Sequence, residues 1–102
     1  MLSFRRLSRA NRQRCEENVF PLEDWTPTDW ATVLAGKTGD ACNLIARMRR
    51  GDKVDVKDVG RELADIVIYA DLLASRLGLD LEKCLVQKFN ETSARKGSEV
   101  LL

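Results

Sequence analysis

The chain contains no histidine, and that absence removes imidazole from both acid–base catalysis and metal ligation. Any such chemistry falls to carboxylates. Cysteine is scarce and odd in number: Cys15, Cys42 and Cys84 lie far apart and without C-x-x-C pairing. Neither a zinc site nor a secreted disulfide framework is encoded, and a reducing, cytoplasmic compartment is expected. No apolar run approaches the roughly 20 residues of a membrane span, so no membrane partner is expected. The 17 basic and 16 acidic residues nearly cancel, leaving a net charge of +1. That balance lacks the basic footprint of a nucleic-acid binder, and no stable nucleic-acid complex is expected. Alternating strand patterns and internal repeats are also missing.

What remains is an all-α pattern in one domain, residues 1–102, too short to hold a separate catalytic unit. The punctuation predicts helices over about 3–19, 29–50, 56–77 and 81–96, with a loop over 20–28. Pro21 and Pro27 bracket the loop, and Thr28 or Asp29 can cap the second helix, which Gly51 ends. Asp55 or Asp58 opens the third, Gly78 closes it, and Asp80 caps the fourth. The first fifteen residues carry five arginines and no acid, like an organelle transit peptide. A first helix with a solvated arginine face is the simpler reading.

Ionisable residues stand on the apolar faces. On a wheel of the third helix, Asp65 and Tyr69 fall within about 60° of Glu62, flanked by Ile66, Leu72 and Leu73. Asp71 falls on the opposite face, with Gly60, Ala64 and Ser75. In the second helix Lys37 lies in the middle of the face made by Trp30, Val33, Leu34, Ala41, Leu44 and Met48, with Asp40 at its edge. In the fourth, Lys88, Thr92 and Arg95 continue the stripe begun by Leu81, Cys84 and Leu85.

Inward charges need compensation. Lys37, Asp40, Glu62 and Asp65 either neutralise one another as a structural ion-pair cluster or meet a metal or a charged ligand, and convergence from three helices favours the second. Carboxylates on adjacent turns suit Mg²⁺, which bridges acids to substrate phosphates. Lys88 and Arg95 then neutralise the remaining phosphate charge, and Tyr69 offers a hydroxyl. The pattern is that of a polyphosphate site.

The segments "LAGKTGDACNLIARMRRGD" and "ELADIVIYADLLASRLGLDLEKCLVQKFNETSARKGS" resemble the MazG-like all-α nucleoside triphosphate pyrophosphohydrolases. The resemblance covers about residues 25–98. It implies a helical bundle completed by oligomerisation, Mg²⁺ held by an E-x-x-E and an E-x-x-D pair, and hydrolysis of (deoxy)nucleoside triphosphates to monophosphate and pyrophosphate. Glu62 and Asp65 match the E-x-x-D pair, and Asp40 takes the second position of the other. Metal ligation thereby falls to Asp40, Glu62 and Asp65, water activation to Asp40 or Glu62, and phosphate contact to Tyr69, Lys88 and Arg95. Trp25 and Trp30 match the region where relatives sandwich a base.

One residue departs from this pattern: Lys37 stands where the first glutamate belongs, and a cation cannot ligate Mg²⁺. Either it pairs with the acids and displaces the ion, leaving a weak or inactive nucleotide-binding module, or it contacts a phosphate while three carboxylates hold the metal. Gly36 and Gly39 surround it, each costing a helix roughly 0.5–1 kcal/mol, which suggests close approach of a neighbouring backbone or ligand. The third helix is apolar over most of its circumference, so self-association is expected, and the resemblance implies a homodimer or homotetramer. A DNA-binding role would have to use the arginines of Arg5–Arg14 or Arg47, Arg49 and Arg50.

Overall fold

The computed structural model of the chain describes all residues, Met1–Leu102. Four helices form and no strand: α1 Phe4–Asn18, α2 Pro27–Arg49, α3 Val56–Arg76 and α4 Leu81–Arg95, with one 3₁₀ turn at Leu22–Asp24. None is long and apolar enough to cross a membrane.

Each helix starts on a side-chain cap. Ser3 accepts from the Arg6 N–H, Asp55 from Lys57 and Asp80 from Lys83. The cap of α2 is Thr26 rather than Thr28 or Asp29: Thr26 Oγ1 accepts from the Asp29 N–H at 3.2 Å, and Asp29 Oδ2 accepts from the Thr26 N–H at 2.9 Å. Pro27, with its preset φ and no N–H to lose, takes the first helical position, which moves the start ahead of the expected residue. Gly51 and Gly78 close α2 and α3 at φ +95° and +72°, in the left-handed region open to glycine. Beyond Gly51 the Arg50 guanidinium grips Asp52 at 2.7 Å, which holds that carboxyl below its ordinary 3.8.

Helix α3 is the centre. It lies along α2 for much of its length, receives α1 on another side, and meets α4 only lightly. Because two helices cover it, two of its faces are interior. Asp71, assigned above to the outer face, is 1% exposed: α1 covers that face, and the carboxylate accepts from Ser8 Oγ and, at 3.0 Å, from Asn11 Nδ2. The core that results is small: Cys15, Leu22, Trp30 and Leu72, flanked by Phe20, Trp25, Ile68, Tyr69 and Leu73.

The chain is open in shape. Its radius of gyration is 16.0 Å, where a compact chain of this length has about 13 Å. Its accessible surface is 7657 Å², against about 5,800 Å² for an ordinary monomer of its mass. The surplus includes apolar side chains left uncovered on α2 (Ile45, Met48), α3 (Leu63, Val67) and α4 (Leu85, Phe89).

Candidate functional site

The loop between α1 and α2 is clamped from three helices. Cys15 Sγ donates to the Phe20 carbonyl at 3.4 Å and Glu16 Oε1 accepts from the Leu22 N–H at 2.8 Å, both from α1. Trp30 Nε1 of α2 donates to the Leu22 carbonyl at 3.1 Å, and Arg76 Nε of α3 donates to the Trp25 carbonyl at 2.8 Å. Burial pushes the Cys15 thiol up, helped by the neighbouring Glu16 charge and opposed by the Phe20 bond.

These clamps gather an aromatic wall. Phe20 and Trp25 have ring centroids 4.8 Å apart, Trp25 and Trp30 4.7 Å, and Trp30 and Tyr69 6.5 Å. The wall lines a cleft of about 240 Å³ whose other side is α1, at Asn11, Arg14 and Cys15. A shallower hollow of about 500 Å³ runs along the outer arginine face of α1, with no apolar residue in its lining. Ligand sites are mostly apolar with a few placed polar groups, so the smaller cleft is the candidate.

One end of the cleft is charged. Asp65 and Tyr69 line it, and Lys37 reaches over from α2 to meet both: its Nζ is 3.8 Å from Asp65 Oδ2 and 5.3 Å from the centre of the Tyr69 ring. Lys37, Asp65, Tyr69, Trp25 and Trp30 are therefore assembled in one place.

The other expected site residues stand differently. Asp40 is exposed one turn beyond Lys37, while Glu62 is half-buried and makes no ion pair. Lys88 and Arg95 are exposed on α4, Lys88 pairing with Glu91 at 3.8 Å, and neither lines the cleft. Inward convergence from three helices thus reduces, within one chain, to α2 and α3, because α4 projects from the end of α3 instead of returning across it. Nor do Trp25 and Trp30 form a sandwich: at their spacing the indoles touch each other and leave no room for a third ring. Trp30 is core at 2% exposure, and a planar ligand would lie against the half-buried Trp25 and Tyr69.

The glycines of α2 do not serve close approach inside the chain, since a Cβ at Gly36 or Gly39 would meet nothing within 4 Å. Arg47 and Arg50 are both tied to Asp52, at 3.6 and 2.7 Å, which takes two cations out of the basic cluster.

The donor chemistry suits Mg²⁺, yet the arrangement does not fit it. No three acidic or sulfur-bearing side chains converge to hold an ion, and Asp65 is already engaged by the Lys37 amine.

Sequence reasoning missed Asn11, Phe20 and Asp71. Phe4, Leu7, Asn11 and Cys15 follow helical spacing on α1, and an asparagine at the middle of that stripe was the available signal for a buried polar contact.

No family model, curated protein or solved structure matches the chain.

Proposed function

We propose that the chain is a nucleoside triphosphate-binding protein of the MazG-like kind and a pyrophosphohydrolase, with the base in the aromatic cleft and the phosphates at Lys37. The observation that carries this reading is continuity. Asp65 and Tyr69 belong at once to the cleft wall and to the surroundings of Lys37, so a ligand with a flat apolar ring and an anionic tail matches both ends. Lys37 binds phosphate oxygen, and phosphate entering the pair frees Asp65 from its partner. In the reaction, water attacks the α-phosphorus, and monophosphate and pyrophosphate leave. Glu62, one turn before Asp65, and Asp40, one turn beyond Lys37, are both without an ion pair, and either is a carboxylate free to take the proton of that water.

A specific observation favours a second reading, a nucleotide-binding module with little or no hydrolysis: the Lys37–Asp65 pair occupies the position where the resemblance calls for a metal, and no three carboxylates converge there. Assay of pyrophosphate released from deoxynucleoside triphosphates, with and without Mg²⁺, separates the two. Pyrophosphate with monophosphate in equal amounts supports the enzyme. Binding without either product supports the module, and release of inorganic phosphate alone contradicts the reaction proposed.

The reading includes self-association as a homodimer or homotetramer. The chain exposes about 1,900 Å² beyond an ordinary monomer of its mass, and obligate interfaces bury about 2,000–5,000 Å² over both partners. A second copy laid on the uncovered α2, α3 and α4 faces would account for that surface and close the site from the side α4 leaves open.

A further inference from the structure

Asn11 lines the cleft but has no part in the reaction just proposed, although it is 4% exposed and fixed by two hydrogen bonds. Its amide nitrogen donates to the Ile68 carbonyl at 2.9 Å and to Asp71 Oδ2 at 3.0 Å, while Ser8 Oγ holds Asp71 Oδ1. These partners dictate the orientation. Turned the other way, the amide oxygen would face a carbonyl and a carboxylate, acceptors with no proton between them.

With both amide protons used, Oδ1 remains, and no protein group donates to it. No fully buried side-chain oxygen or nitrogen is without a partner, so Oδ1 opens onto accessible space. The space Asn11 lines is the aromatic cleft. The cleft therefore holds a rigid acceptor beside Phe20, Trp25 and Tyr69, with its own donors already spent. Asp65, the one carboxylate on the lining, faces Lys37. Arg14, exposed at the rim, is the one cation on the α1 side that could answer a carbonyl instead.

We propose that Asn11 reads the edge of the nucleobase and that the site selects a base presenting an exocyclic amino group, cytosine over uracil or thymine. A base that turns a carbonyl toward Oδ1 brings two acceptors together in a water-poor place, which costs more than a missing contact. The inference rests on the nucleotide reading above, and the experiment separates the two.

Quenching of tryptophan fluorescence is titrated with α,β-imido analogues of dCTP and dUTP, which differ in the amino and carbonyl group at one ring position and resist cleavage. The cytosine analogue is expected to bind roughly tenfold or more tightly in the parent protein, and the ratio to fall toward one in Asn11→Ala. Because Asn11 also makes structural bonds, the variant is accepted only where its circular dichroism matches the parent. The parent's ratio decides in any case. Equal affinity for the two analogues, or tighter uracil binding through Arg14, overturns this proposal and leaves the nucleotide reading standing. Failure of both to bind overturns the two together.

Discussion

Lys37→Glu tests how the charged end of the cleft is held. The parent amine pairs with Asp65 at 3.8 Å through side chains 31% and 40% exposed, so solvent screening limits the pair to about 0.5 kcal/mol. Its position over Tyr69, 5.3 Å from the ring centre, adds about 0.5–1 kcal/mol. Substitution removes both and places a carboxylate against Asp65, a repulsion of about 1 kcal/mol at this separation in a mostly aqueous setting. The variant should therefore lose about 2 kcal/mol without divalent ion, or about 10 °C in Tm for a chain of this size. Mg²⁺ should restore part of that loss, because the new carboxylate and Asp65 make a facing hard-oxygen pair that the parent, with its amine against Asp65, lacks. Thermal melts of parent and variant across a Mg²⁺ titration give the comparison, and without the ion the variant should bind a deoxynucleoside triphosphate more weakly, because a carboxylate then stands where the amine met phosphate. A parent stabilised by Mg²⁺ as strongly as the variant would refute the reasoning. A variant that binds the nucleotide as tightly as the parent without the ion would contradict the phosphate contact assigned to Lys37.

Other outcomes follow from single features. Light scattering should find a dimer or tetramer at micromolar concentration, and a folded, monodisperse monomer would contradict the account of the uncovered faces. Asp71→Ala leaves the Ser8 and Asn11 donors without their carboxylate and should cost about 3 kcal/mol in urea unfolding; a loss below about 0.5 kcal/mol, the scale of an ordinary surface change, would show that the α1–α3 contact does not depend on it. Gly36→Ala and Gly39→Ala meet open space and should each stabilise α2 by about 0.5–1 kcal/mol. If either instead weakens nucleotide binding or assembly, a ligand or second chain comes close to that turn.

The fold was legible where local chemistry decides it. Asp55, Asp80, Gly51 and Gly78 punctuate the helices as read, and only the Thr26 box, where Pro27 takes the first turn, shifted a start. The site was legible in part. Lys37, Asp65 and Tyr69 meet because the wheel of α3 and the apolar face of α2 bring them to one contact. What the pattern could not give was the number of neighbours around α3. A wheel assumes one buried face, whereas α1 covers a second and buries Asp71, and α4 swings out and leaves Lys88 and Arg95 in solvent. Asn11 escaped for a related reason: its role depends on which acceptors α3 brings to it, and those lie 57 and 60 residues away in the chain.

The central claim is that one ligand spans the aromatic cleft and the Lys37 end. A crystal structure with a non-hydrolysable deoxynucleoside triphosphate tests it most directly. The account predicts the base against Trp25 and Tyr69 and phosphate oxygens within hydrogen-bonding reach of the Lys37 amine. A polyphosphate seated on the outer arginine face of α1, with the cleft unfilled and the Lys37–Asp65 pair intact, would contradict it.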